Sequence, residues 1–265
     1  MKLSVKVNGL FIDYDGTISP LNVPREKSGV SEEIKAILYR IKELVPIGII
    51  TNKDMSFIVP KTPFASAWGA VGGLEIKIGE KITTSPRVQA ALPLISLALN
   101  YARSHNDNHV FFEEKKSSSG QTIAFCVDWR QSPDPVEAEK RESQVIAYCE
   151  RLRLTVIKYR GQPFFDVYPC PIDKGTALTE LKRRLGVSDG VMYMGDSKVD
   201  NPAFHIADIS VGVLNEESMS NLTSEYYVRF EGVPKLLQHL RESDLIFSQN
   251  FLETSIKPDW KRGGK

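Results

Sequence analysis

Gly9-Leu10-Phe11-Ile12-Asp13-Tyr14-Asp15-Gly16-Thr17 is the stretch that decides the reading of this chain. Four apolar residues, too few for a helix, run straight into two acids and a glycine, the pattern of a buried strand that empties into a loop. Downstream, Ser31 stands where a helix cap belongs, with Glu32 and Glu33 in the first turn, where they favour the helix dipole. Ile34, Ile37, Leu38, Ile41 and Leu44 then keep helical spacing. Residues 45–50 return as a second apolar run that stops at Thr51-Asn52. Strand, helix, strand predicts a parallel sheet with a right-handed crossover.

The last third repeats this style. Lys174 opens a helix with Ala177, Leu178, Leu181 and Leu185 on one face, ending at Gly186. Residues 191–194 are a buried strand ending at Gly195-Asp196, and residues 209–213 form another. The middle differs, with a helical stretch (88–102), alternating segments (110–114 and 122–130), a second helix (135–154) and strands at 155–159 and 164–168. Helix, strands, helix, strands is the order of an α+β unit with an antiparallel sheet. The expected fold class is therefore α/β: a Rossmann-like parallel-sheet core from residues 1–82 and 167–265, with an inserted α+β cap at 83–166. The tail from 248 to 265 lacks periodicity.

Bulk properties exclude several classes. A net charge of +1 over 265 residues gives no basis for a nucleic-acid or membrane-surface partner. No apolar run is long enough to span a bilayer, and Lys and Asn interrupt the start as they would not in a signal peptide. Cys126, Cys149 and Cys170 are widely spaced and odd in number, as expected of reduced thiols in a cytoplasmic protein. Four scattered histidines make no zinc cluster.

In an open parallel sheet, ligands bind beyond the carboxyl ends of the strands. Asp13-x-Asp15, Thr51-Asn52 and Gly195-Asp196 all stand at such ends and should converge on an acidic site with one hydroxyl and one lysine, Lys174. Such a set suits phosphoester chemistry, which needs a strong nucleophile and an offset for the charge on the transferring group. Carboxylates holding Mg²⁺ meet the second need, with Lys174, Thr51 and backbone N–H groups on the phosphoryl oxygens. A helix expected after Gly16 would add its dipole.

Asp13-x-Asp15-Gly16-Thr17, Thr51, Lys174 and Gly195-Asp196-x-x-x-Asp200 resemble, in order, the four motifs of the haloacid dehalogenase superfamily. The first motif alone would arise by chance in about 0.003 chains of this length. The resemblance implies that Asp13 attacks phosphorus to form an aspartyl-phosphate, and that Asp15 protonates the leaving oxygen and later activates water. It implies that Thr51 and Lys174 hold the phosphoryl group, with Thr17 and Asn52 beside it. Mg²⁺ is implied on Asp13, Asp196 and the Asp15 carbonyl, with Asp200 supporting the metal or Lys174. An acid at position 15 is what the phosphatases and phosphomutases of the superfamily have, and its dehalogenases and transport ATPases lack.

The cap narrows the resemblance to trehalose-6-phosphate phosphatases and Cof-type sugar phosphatases, in which a cap closes on the core and reads the leaving group. Gly73-Leu74-Glu75 is similar to their Gly-x-Glu, and Glu114-x-Lys116 to their cap Glu-x-Lys, with Glu113 and Lys115 as the alternative register. The strand 122–130 ending in Arg130, and Asp166 before Asp173-Lys174-Gly175, are similar to the remaining cap motifs. The implied substrate contacts are Glu114, Lys116, Arg130 and Asp166, and the implied partner is a small sugar phosphate. Gly72, Lys53 and Asp166 depart from that family's usual His, Arg and Glu. The implied activity is Mg²⁺-dependent release of phosphate from trehalose 6-phosphate. Mannosyl-3-phosphoglycerate, sucrose 6-phosphate and a retired sugar-phosphate-binding module are the alternatives.

Overall fold

Short, fully apolar strands lie buried on both faces of a sheet, and here they do so side by side. The computed structural model describes residues 4–21, 23–106, 108–159, 161–215 and 222–248. These fall into two compact units, one from Met1–Asn52, Phe57–Lys81 and Asp173–Lys265, the other from Lys53–Ser56 and Ile82–Ile172.

Along the chain, the strands of the first unit are β1 (Ser4–Lys6), β2 (Gly9–Ile12), β3 (Ile47–Ile50), β4 (Ala67–Ala70) and β5 (Glu75–Ile78), then, after β6 (Lys81–Thr84) at the boundary between the units, β11 (Val191–Gly195), β12 (Ile209–Leu214), β13 (Tyr226–Arg229) and β14 (Ile246–Ser248). Eight of them form one sheet in the order β13-β12-β11-β2-β3-β4-β5-β6. Neighbours from β13 to β4 run parallel, and β5 turns back antiparallel on β4. β1 and β14 make a separate antiparallel pair.

The register places Ile12 of β2 opposite Met194 of β11 and Ile49 of β3. Asp13, directly after Ile12, and Asp196 and Thr51, each two residues beyond Met194 and Ile49, therefore leave the sheet at the same edge. Phe11 sets a local condition on that register: a Cβ on Gly48 would stand 2.5 Å from its ring. A glycine is what lets β3 lie beside β2.

Helices cover both faces. Ser31 caps α1 (Glu32–Lys42), accepting from the Ile34 N–H, and Ile34, Ile37, Leu38 and Ile41 are its buried face. α1 packs against the helix Val233–Glu242. α5 (Lys174–Leu185) buries Ala177, Leu178 and Leu181 against Phe11, Ile50 and Tyr193. It ends at Gly186 in the left-handed conformation.

The second unit is an antiparallel sheet in the order β7 (Phe111–Lys116), β8 (Thr122–Asp128), β10 (Phe164–Tyr168), β9 (Thr155–Lys158). α3 (Pro86–His105) and α4 (Pro135–Arg151) cover one face, where Phe125, Val127, Phe165 and Val167 meet Ile95, Leu99, Val145 and Cys149. The stacked rings of Tyr101 and Tyr148, 3.9 Å apart, tie the two helices together.

One expectation needs correction. Residues 14–19 form turns, not a helix, with the Tyr14 carbonyl accepting from the N–H groups of Thr17, Ile18 and Ser19, and the next helix starts only at Glu32. Gly16 at φ +71 makes that turn. The short helix α2 (Met55–Lys61) and the small-residue strand β4 were not anticipated, because neither has a clear period. The unpatterned tail lies outside the described residues beyond Ser248.

Candidate active site

At the carboxyl edge of the parallel sheet, side chains from β2, β11 and α5 converge. The Lys174 ammonium lies 2.8 Å from an Asp13 oxygen and 2.7 Å from Asp200 Oδ1, and all three groups are buried. Carboxylate oxygens of Asp13, Asp196 and Asp200 lie within 4.8 Å of one another. The carboxylate of Asp15, half-buried in the turn, is not part of that group.

The lysine is placed from sequence outward. Asp173 caps α5 by accepting from the Gly175 N–H at 2.8 Å, which fixes Lys174 as the first helical residue. Gly175 lets that turn lie close to the next loop, since a Cβ there would stand 2.7 Å from the Pro202 carbonyl oxygen. Asp200 is bound on both oxygens: Oδ1 accepts from Lys174 and the Tyr193 hydroxyl, and Oδ2 accepts from the Ser197 N–H and hydroxyl. Asn215, one residue past β12, donates to Asp196 Oδ2 at 3.0 Å.

Charge is unbalanced here, with three buried carboxylates against one buried ammonium. Burial pushes Asp13 up to about 7, with Lys174 opposing the rise and Asp200 adding to it. Burial, then the charges of Asp13 and Asp200, drive Asp196 well above the carboxylate range. Burial works against the charge on Lys174, but Asp13 and Asp200 outweigh it and hold the ammonium protonated.

This is the donor set a hard divalent cation takes: clustered carboxylate oxygens, excess negative charge and, among the described residues, no nitrogen or sulfur ligand. Thr17 adds a buried hydroxyl with no hydrogen-bond partner among the described residues. Asp13 and Asp196 are the side chains best disposed to hold the ion. Asp200 has both oxygens committed to Lys174, Tyr193 and Ser197, so anchoring the lysine is its evident part.

Thr51 is buried beside this edge, its N–H bonded to the Gly69 carbonyl and its own carbonyl accepting from Gly72 N–H, and Asn52 follows it. Sequence reasoning missed Tyr193, Ser197 and Asn215. A tyrosine inside a strand reads as core, and a lone Asn or Ser at a strand end reads as a turn residue.

In the second unit, the residues expected to contact substrate separate by face. Glu114 lies on the face packed by α3, where Arg103 meets it at 2.7 Å and Thr122 donates to it. Lys116 follows a bulge and is exposed. Neither joins Asp166. Glu113 and Lys115 do, because antiparallel pairing sets Glu113, Cys126 and Asp166 in one row across the opposite face. Lys115 Nζ donates to Asp166 at 2.7 Å and to the Tyr168 hydroxyl at 3.0 Å, while the Tyr159 and Tyr168 hydroxyls donate to the other Asp166 oxygen. Lys53 Nζ is 3.7 Å from Glu113 in the same unit. Arg130 lies just beyond β8, ion-paired with Asp128.

Residues 96–223 match the family profile described as haloacid dehalogenase-like hydrolase. Over that stretch, and in motif order and fold, the chain is similar to the haloacid dehalogenase-like hydrolases. Among curated relatives it is 26% identical over 224 residues to "Trehalose-phosphate phosphatase B" of Arabidopsis thaliana, the match covering 74% of this chain and 55% of that protein. The chain spans between half and two thirds of the length of the first such relatives. In fold it is similar to a solved structure described as a "trehalose-6-phosphate phosphatase related protein", at TM-score 0.72, 16% identity, and coverage of 89% and 97%. It is likewise similar to the C-terminal domain of the trehalose-6-phosphate phosphatase of C. albicans, at TM-score 0.71, 15% identity, and coverage of 90% and 93%. Among the described residues, no helix of this haloacid dehalogenase-like chain is long and apolar enough to cross a membrane.

Proposed function

We propose that the chain is an Mg²⁺-dependent phosphatase of sugar phosphates, with trehalose 6-phosphate as the foremost substrate and Asp13 as the nucleophile. The observation that carries this reading is the buried contact of Asp13 with Lys174, itself held by Asp200, beside Asp196 at the carboxyl edge of the sheet. The names of the curated relatives and of the structural neighbours support the sugar.

Asp13 attacks phosphorus through one carboxylate oxygen while Lys174 holds its orientation and offsets charge on the transferring group. Asp15, only half-buried and two residues on, protonates the leaving sugar oxygen and then takes the proton from the water that cleaves the aspartyl ester. The Thr51 hydroxyl donates to the phosphoryl oxygens. A cation held by Asp13, Asp196 and the Asp15 carbonyl supplies further charge compensation when bound. Selectivity for the leaving group is assigned to the second unit.

The test is phosphate release from 4-nitrophenyl phosphate and from a panel of phosphorylated sugars, with Mg²⁺ and with excess chelator. Release that the chelator abolishes, fastest on trehalose 6-phosphate, is the expected result. No release from any ester would overturn the phosphatase, and a faster sugar would replace the substrate.

A further inference from the structure

Asp15, to which the proton transfers fall, stands in a turn beyond the end of β2. A group that hands over a proton has to be held to within about 0.5 Å, so the turn itself needs support. Ser19 supplies it through its backbone. Its N–H donates to the Tyr14 carbonyl at 3.0 Å, and its carbonyl accepts from the Gly16 N–H at 2.8 Å. Both neighbours of Asp15 are thereby tied to Ser19, and the two segments meet in a bridge between Asp15 and Ser19.

Ser19 is held in turn through its side chain. The hydroxyls of Ser19 and Ser28 lie 3.0 Å apart, and Ser28 donates to the Tyr14 hydroxyl at 3.2 Å, all three residues being buried. A hydroxyl has one proton, so with that of Ser28 committed to Tyr14 it is Ser19 that donates to Ser28. The circuit closes, because Tyr14 accepts from the Ser19 N–H at its carbonyl and from Ser28 at its ring. Ser28 and Tyr14 are also anchored from α2, where Lys61 Nζ donates to the Ser28 carbonyl and Phe57 meets the Tyr14 ring edge-on at 5.8 Å. All of these residues belong to the first unit. Three buried hydroxyls add little stability over apolar side chains of the same shape; what such a circuit adds is a fixed geometry.

We propose that Ser28, acting with Tyr14 through Ser19, is a positioning residue for Asp15. The proposal rests on the phosphatase reading. As the bond from Asp13 to phosphorus forms and the ester P–O bond breaks, the Asp15 proton passes to the leaving oxygen and the alcohol departs neutral. An acid displaced from that oxygen slows the departure of a sugar alkoxide and matters little to a leaving group that is stable as an anion.

The test compares kcat/KM, which reports the steps through the first phosphoryl transfer, for the fastest sugar phosphate of the panel and for 4-nitrophenyl phosphate, whose phenolate leaves unprotonated. Ser28→Ala should lower the first by about tenfold more than the second. Tyr14→Phe keeps the ring against Phe57 and removes only the hydroxyl, so it should show the same bias, and it carries the comparison if Ser28→Ala does not fold. The double variant should lose little beyond Ser28→Ala alone, because both changes open one circuit. No loss in either variant, or equal losses on both esters, would overturn the assignment. If the wild-type chain hydrolyses neither ester, the phosphatase reading has failed by itself, and amide hydrogen exchange followed by NMR decides the positioning of the turn. Faster exchange at Gly16 and Ser19 in Ser28→Ala than in the wild type upholds it, and unchanged exchange refutes it.

Discussion

Asp13, Lys174 and Asp200 form a relay in which each group fixes the next. Asp13→Asn keeps the shape and the hydrogen bond but removes nucleophilic charge, so phosphate release should fall at least about a thousandfold with unfolding unchanged. Substantial turnover in that variant would exclude Asp13 as the nucleophile. Tyr193→Phe deletes the 2.6 Å hydrogen bond to Asp200 and leaves its other partners in place. Urea denaturation should show a loss of about 1 to 2 kcal/mol. The relay was partly legible, since Asp13, Lys174 and Asp200 stand in recognisable motifs. Its supports were not, because Tyr193 in a strand and Asn215 after one look like ordinary core and turn residues until their hydroxyl and amide are seen on carboxylates.

Among the elements, α5 and the antiparallel sheet carry the lessons. The cap of α5 at Asp173 and its close approach at Gly175 aim Lys174. Gly175→Ala sets a methyl against the Pro202 carbonyl and should destabilise the chain by about 1 to 3 kcal/mol in thermal unfolding. Turnover should fall further than the folded fraction, because the first turn bearing Lys174 has to move. An unchanged melting temperature would mean that the loop yields freely. The strands at the motif ends were readable from their apolar runs, and α1 from its cap and spacing. The side-chain faces of β7 were not, because Glu113-Glu114-Lys115-Lys116 is charged at every position and gives no alternation to follow. The bulge between Lys115 and Lys116 breaks the count again.

On the scale of the whole molecule, one buried acid outside the candidate active site ties stability to pH. Glu142, on α4, is buried. Burial pushes it up to about 7, with the Asn106 amide and Arg141 opposing. The folded chain therefore keeps this proton to higher pH than the unfolded one. Its contribution is fully present below about pH 4.5 and is lost as pH rises through 7. Glu142→Gln should stabilise the protein by about 2 kcal/mol at pH 8 and by nothing measurable at pH 4. A gain of the same size at both pH values would show that packing, not ionisation, sets the effect. The sheet order also bears on how the chain is made. β2 lies between β3, which follows it closely, and β11, which begins nearly two hundred residues later. At a synthesis rate of about 5 to 20 residues per second, one edge of β2 waits roughly 10 to 40 s for its partner on the ribosome. Throughout that interval an apolar strand ending in the nucleophile offers unpaired backbone to any neighbour, which makes the nascent chain a natural client for chaperones.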